Sequence, residues 1–211
     1  GLGLTGLADA LAMCGARYDS AEARALATRW MGLIERHALL ASAELAREKG
    51  SFPLYDAERF LAAPGIARLD EDVRAAIAAD GIRNGLLTSI APTGTISLFA
   101  GNVSSGIEPI FDYKARRRIL ARDGSTREEE VEDYAHRLFR RLHGASARLP
   151  DAFARATEIA PHAHLAMQAA IQRHVDSSIS KTINCPREIA FADFQSIYLE
   201  AFDLGLKGCT T

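Results

Sequence analysis

The chain has 211 residues, 48% of them hydrophobic and 25% charged, the proportions of an ordinary globular protein. A compact chain of this size buries about 70% of the surface its unfolded form exposes, which supports a real core and excludes disordered and fibrous classes. A net charge of −2 provides no global field for nucleic acid or an anionic membrane, and no apolar run approaches the roughly 20 residues of a membrane span.

In chain order, residues 4–13 predict a short apolar helix broken at Gly15. Asp19-Ser-Ala-Glu22 has the N-cap and N3 residues of a capping box, and the Ala- and Leu-rich pattern behind it predicts one helix to Lys49, closed by Gly50. Ala27, Met31, Ile34, Ala38 and Ala41 form its apolar stripe, with residues small enough for close packing against a neighbour. Pro53, Pro64 and Gly65 punctuate the next region, where 56–63 and 70–79 predict short helices. Residues 86–91 carry no charge and predict a short buried strand, which runs directly into Pro92-Thr-Gly-Thr-Ile-Ser97. Residues 101–112 read as loop.

The basic cluster Arg116–Arg118 follows. Residues 128–143 predict an amphipathic helix, acidic in its first turn and basic in its last, as the helix dipole favours. Segments 150–157 and 161–173 predict helices with proline at or near their starts. Residues 175–184, rich in β-branched and hydroxyl side chains, read as strand or loop–strand, and 191–204 as a last helix stopped by Gly205. No repeat, low-complexity tract or linker divides the chain. The expected fold class is α/β and helix-rich, in one unit over 1–211.

Chemistry concentrates after the 86–91 strand. An anion site needs converging backbone N–H groups, a residue tolerant of unusual backbone angles, and hydroxyls to complete the shell. Gly94 offers the tolerance, and Thr93, Thr95 and Ser97 the hydroxyls. A capped helix start after a strand is the plainer reading, and spacing alone leaves both open; the pattern is no P-loop. The three cysteines, Cys14, Cys185 and Cys209, have neither zinc spacing nor an even count, which fits a reducing, cytoplasmic compartment. Cys14, within an apolar helical stretch, reads as a plain buried thiol. His162-x-His164 diverges around a helix axis and makes no metal pair, so no metal site is expected. Asp176 and Lys181 read as an internal ion pair or as pocket contacts, Glu108 as a turn cap or an acceptor near the 92–97 loop, and Arg116–Arg118 as a solvated face.

Read in order, these residues carry a resemblance. Leu87-Thr-Ser-Ile-Ala-Pro-Thr-Gly-Thr-Ile-Ser97 and Asn102-Val-Ser-Ser-Gly-Ile-Glu-Pro109 resemble the large subunit of ribonucleotide reductase, with wording close to the adenosylcobalamin-dependent class II enzymes. The same family is matched at Gly1-Leu-Gly-Leu-Thr-Gly-Leu-Ala-Asp-Ala-Leu11, at Val175-Asp-Ser-Ser-Ile-Ser-Lys-Thr-Ile-Asn184 and at Gly205-Leu-Lys-Gly-Cys-Thr-Thr211. The resemblance implies part, about half, of a ten-stranded α/β barrel and a ribonucleotide substrate whose phosphates are held by Pro92, Thr93, Gly94, Thr95, Ile96 and Ser97. The family's thiyl-forming cysteine lies in an Asn-x-Cys-x-Glu finger loop, upstream of the segment matching Gly1–Leu11. No such pattern occurs in 1–211, and Asn184-Cys185-Pro186-Arg187 lacks both the intervening residue and the acid.

The chain is therefore expected to be the C-terminal segment of the catalytic barrel of a vitamin B12-dependent ribonucleotide reductase, with no catalytic residues of its own and inactive alone. Adenosylcobalamin is expected in the full enzyme and no cofactor for this segment. The expected partners are a ribonucleotide, diphosphate or triphosphate, and the N-terminal remainder of the chain. A homodimer is open; nucleic acid and membrane are not expected. A class I reductase is the nearest competing class. A stand-alone nucleotide- or phosphate-binding or structural module derived from that enzyme is the alternative function.

Overall fold

The alanine-rich stretch after Ser20 forms the longest element, and the rest of the chain folds along it. A computed structural model of the chain describes residues 1–120 and 123–211. Helix α1 (Leu7–Met13) leads into α2 (Ala21–Lys49), a helix of 29 residues that ends at Gly50. The Ser20 hydroxyl accepts the Ala23 N–H, so the cap sits one residue beyond Asp19. Helices α3 (Ala57–Ala62), α4 (Pro64–Ala67) and α5 (Glu71–Asp80) follow, with α5 packed on α2. The carboxylate of Asp56 caps α3 through the Arg59 N–H.

Next come the short α6 (Gly94–Phe99), a hairpin of β1 (Lys114–Leu120) and β2 (Thr126–Glu132), then α7 (Tyr134–His143), α8 (Pro161–Gln172) and α9 (Phe191–Asp203). α8 packs against both α2 and α9, and α7 against α1.

The chain segments between these helices lie side by side. Leu2 bridges Thr88, Ile90 bridges Ile179, and Thr182 bridges Thr210, all parallel. The Ser89 N–H donates to Leu2 O at 2.8 Å, Ser180 N–H to Ile90 O at 2.8 Å and Ile183 N–H to Thr210 O at 2.7 Å. Segments 1–4, 87–91, 177–183 and 210–211 thus form a parallel array of isolated bridges, with helices running between successive members. Parallel neighbours require such crossovers. Gly3 lies against the next segment so closely that a Cβ there would sit 2.2 Å from the Ser89 carbonyl oxygen.

The main core joins Leu7 and Leu11 of α1, Ala23, Ala27 and Met31 of α2, and Met167 and Ile171 of α8 to Ile90 and Ile179 of the array. Alanine on α2 lets its axis approach closely. A second cluster, Leu39, Ala43, Val73, Ile77 and Ile82, seals α5 on α2; a third, around Leu165, Ile183, Ile197 and Ala201, seats α9.

Four expectations change. Residues 128–143 do not make one helix: Thr126–Glu132 is strand β2, and only Tyr134–His143 is helical. The register pairs Arg116 with Glu130, Arg117 with Glu129 and Arg118 with Glu128, so the acidic run answers the basic cluster across a hairpin rather than a helix dipole. Of segment 150–157, only the start of a 3-10 turn at Ala156–Glu158 is helical. On α2 the buried stripe runs through Ala27, Met31, Glu35 and Ala38, leaving Ile34 and Ala41 exposed, because an inward-facing Glu35 is held by Arg68 and His174. Cys14 is an exposed residue just past the end of α1, not a buried thiol.

Candidate nucleotide site

In parallel α/β arrays, ligands bind beyond the carboxyl ends of the strands, where loops leave the sheet. Here those ends carry Thr5, Pro92-Thr93 and Thr182–Asn184. A cleft of about 440 Å3 opens there, lined in part by Pro92, Ser97, Ser105, Ser180, Thr182 and Asn184. The β1–β2 hairpin contributes Ala115, Arg117 and Val131 to its wall. Four of the segments that carry the family resemblance, 1–11, 87–97, 102–109 and 175–184, therefore meet at one place, the last three of them lining the cleft.

The 92–97 loop is held from behind. Thr93, the residue preceding α6, has φ 51°, a left-handed conformation that a β-branched residue adopts only when its surroundings fix it. They do so here: the Gly106 N–H donates to Thr93 Oγ1 at 2.7 Å, and the Thr5 and Thr93 hydroxyls share a hydrogen bond of 2.9 Å. The Ser97 hydroxyl, buried, bonds to Gly94 O and to Ser105 Oγ. Two of the three hydroxyls anticipated as ligand contacts thus hold the loop in shape, and only Thr95 presents an exposed side chain. The positive φ falls on Thr93 rather than Gly94. What glycine gives at position 94 is room, since a Cβ built there meets nothing within 4 Å.

The turn opposite is tied down by Asp9, a buried acid on α1. Its carboxylate accepts the Ser104 N–H at 2.6 Å and the Ala135 N–H at 2.9 Å. Asp133, which lines the cleft and caps α7 through the His136 N–H, is pushed up to about 7 by burial and by the Asp9 charge.

A buried polar cluster supports the other wall. The Lys181 side chain is 0% exposed and its Nζ donates to Glu108 Oε2 at 2.5 Å, to His164 Nδ1 at 2.9 Å and to the Thr182 carbonyl oxygen. Glu108 Oε1 also accepts the Thr182 N–H at 2.7 Å, clamping two segments of the cleft wall together. Burial draws the Lys181 ammonium below the usual lysine range, with Glu108 opposing, and His164 is lowered to about 4 by burial and by Lys181. His164 is therefore neutral near pH 7 and accepts at Nδ1. This resolves the open readings of two residues: Glu108 and Lys181 are each other's partners. Asp176 instead accepts the Leu87 and Thr88 N–H groups at the start of the array. The His164 role carried no signal in the sequence, since its partners lie on distant segments.

Burial pushes the Cys185 and Cys209 thiols up, both of them packed against the α8–α9 cluster. Among the described residues, no three His, Cys, Asp or Glu side chains come together as metal ligands would, and no helix is long and apolar enough to cross a membrane.

The family description "Ribonucleotide reductase, barrel domain" matches residues 1–211. The chain is 42% identical to the vitamin B12-dependent ribonucleoside-diphosphate reductase of Mycobacterium tuberculosis over its full length, and 33% identical to the enzyme of the same name from Thermoplasma acidophilum. It is 29% identical, over 87% of its length, to the ribonucleoside-diphosphate reductase 1 subunit alpha of Escherichia coli. It spans 30% of the length of the M. tuberculosis protein, 27% of the T. acidophilum protein and 24% of the E. coli protein. By the match over all of residues 1–211, this chain belongs to the ribonucleotide reductase barrel-domain family.

Proposed function

We propose that the chain is the C-terminal segment, about half, of the catalytic barrel of an adenosylcobalamin-dependent ribonucleotide reductase, and that Pro92, Thr93, Gly94, Thr95, Ile96 and Ser97 hold the phosphates of the ribonucleotide. The observation that carries this reading is the cleft at the carboxyl ends of segments 87–91 and 177–183, walled by Pro92, Ser97, Ser105 and Thr182. Its volume of about 440 Å3 suits a nucleotide-sized ligand. Of the six residues only Pro92 and Ser97 line the cleft itself; Gly94, with open space over it, and the exposed Thr95 leave the outer side of the loop beside the cleft free for phosphate oxygens. The relatives named as diphosphate reductases favour a ribonucleoside diphosphate.

In the proposed enzyme adenosylcobalamin supplies the radical, with its contacts mostly in the rest of the chain, and the Asn-x-Cys-x-Glu loop lies there too. Three free thiols are in keeping with a cytoplasmic setting.

Titrating cytidine diphosphate into the 211-residue chain tests the site. Binding near micromolar that disappears in Gly94→Val, whose side chain fills the space above the loop, is the expected result. No binding by the unaltered chain, or full binding by the variant, overturns the assignment. Added adenosylcobalamin and a dithiol are expected to give no nucleotide reduction by this chain, and turnover refutes the inactive-segment reading.

A further inference from the structure

The geometry points to Arg117 as a phosphate-binding residue of the cleft, a cation reaching from the β1–β2 hairpin to an anionic ligand seated on the 92–97 loop. This deepens the proposed function and rests on it. Strand alternation sorts the hairpin's charges. Lys114, Arg116 and Arg118 stand on one face with Glu128, Glu130 and Glu132, directly paired in register. On that face Lys114 pairs with Glu130 at 3.4 Å and Arg118 with Glu128 at 3.5 Å, Glu132 turns to His136, and none of these residues lines the cleft.

The other face carries Ala115, Arg117 and Val131, and all three line the cleft. Arg117 sits opposite Glu129, yet Glu129 is engaged by Arg127 at 2.6 Å. Among the described residues, Arg117 is left with no ionic partner, and it is the one cation among the described residues that line the cleft. Glu108, Asp112 and Asp133 are the acids there. Of these, Glu108 is committed to Lys181 and Asp133 to the cap of α7.

A diphosphate brings two to three negative charges into a cleft whose loop offers amides and hydroxyls but no cation. A guanidinium is suited to such a group, because its planar donors meet two phosphate oxygens at once and its charge persists at any physiological pH. The long side chain of Arg117, exposed on the hairpin, can adjust to reach them.

The test uses the intact chain and two probes, inorganic pyrophosphate and cytidine diphosphate, titrated calorimetrically at low salt and at about 0.3 M salt. Arg117→Ala is expected to weaken both probes by about ten-fold or more, with a shallower salt dependence, while Arg117→Lys keeps the charge and recovers part of the loss. Arg116→Ala, on the face turned away from the cleft, is expected to stay within about two-fold of the unaltered chain. Equal losses in Arg116→Ala and Arg117→Ala mean a diffuse field effect and overturn the assignment. If Gly94→Val abolishes binding while Arg117→Ala leaves it unchanged, the Arg117 role fails and the phosphate loop stands. If the unaltered chain binds neither probe, both fall together.

Discussion

Replacing Lys181 with methionine keeps most of the side chain's bulk and removes its charge. The carboxylate of Glu108, whose side chain is 25% exposed, then retains the Thr182 N–H but loses its cation. Removing one member of a buried ion pair costs about 3–5 kcal/mol, because the other charge is left uncompensated. Water on the exposed quarter of Glu108 relieves part of this, so a loss of about 2–4 kcal/mol is expected for Lys181→Met. The double variant Glu108→Gln/Lys181→Met behaves differently. The glutamine oxygen still accepts from Thr182, no charge is stranded, and the loss is expected to shrink to about 1 kcal/mol. Glu108→Gln strands the buried ammonium in turn, so urea unfolding at pH 7 of the unaltered chain, the two single variants and the double variant is expected to show a coupling of at least about 2 kcal/mol. Effects that add to within about 0.5 kcal/mol refute the clamp, and the cleft wall must then be held by backbone contacts alone.

The pH dependence of stability has two opposing slopes. Asp133, raised to about 7, holds a proton in the folded chain that the unfolded chain releases above about 4, so its contribution is full at low pH and is lost as pH rises through 7. His164, lowered to about 4, acts in reverse: its contribution is present above about 6.5 and is lost as pH falls through 4. Asp133→Asn keeps a good N-cap acceptor and removes only the first slope. The variant should gain about 2–4 kcal/mol at pH 8 and become less stable on acidification from 6.5 to 4.5, whereas the unaltered chain stays nearly flat over that interval. Parallel profiles for the two proteins would show that the carboxyl is not held protonated. Gly3→Ala drives a Cβ into the Ser89 carbonyl oxygen, a backbone atom that cannot swing aside. A loss of about 1–3 kcal/mol in urea unfolding is expected, with faster amide exchange at Ser89, whose N–H is bonded to Leu2; unchanged exchange there argues against the close pairing of these segments.

Much of the helical framework was legible because its signals are local. Ser20, Asp56 and Gly50 cap or end their helices within a few residues, and Pro161 marks a start that needs no distant partner. The reading of 128–143 failed for the complementary reason. Three consecutive glutamates suit a helix N-terminus and equally suit a strand facing Arg116–Arg118, and only the pairing of the two segments decides between them. The α2 stripe drifted for a similar reason, since Glu35 is tolerated inside only because Arg68 and His174, far along the chain, meet it there. The 92–97 loop was recognisable as a motif, but the sequence assigned outward hydroxyls to residues that the fold turns inward. The Thr93 and Ser97 side chains are occupied by Thr5, Gly106 and Ser105, the first of them 88 residues away from its partner.

By itself, then, the sequence determined the helix-rich α/β class, the placement of most helices and the family, because caps, periodicity and consecutive motif residues are written along the chain. The tertiary structure alone decided that Gly1–Leu4, 87–91, 177–183 and 210–211 run side by side, that Glu108 and Lys181, 73 residues apart, clamp one wall of a cleft, and that Arg117 rather than its neighbours faces it. These outcomes depend on desolvation and on which charges and backbone groups meet across the fold, and such pairings exist only once distant segments have been brought into contact.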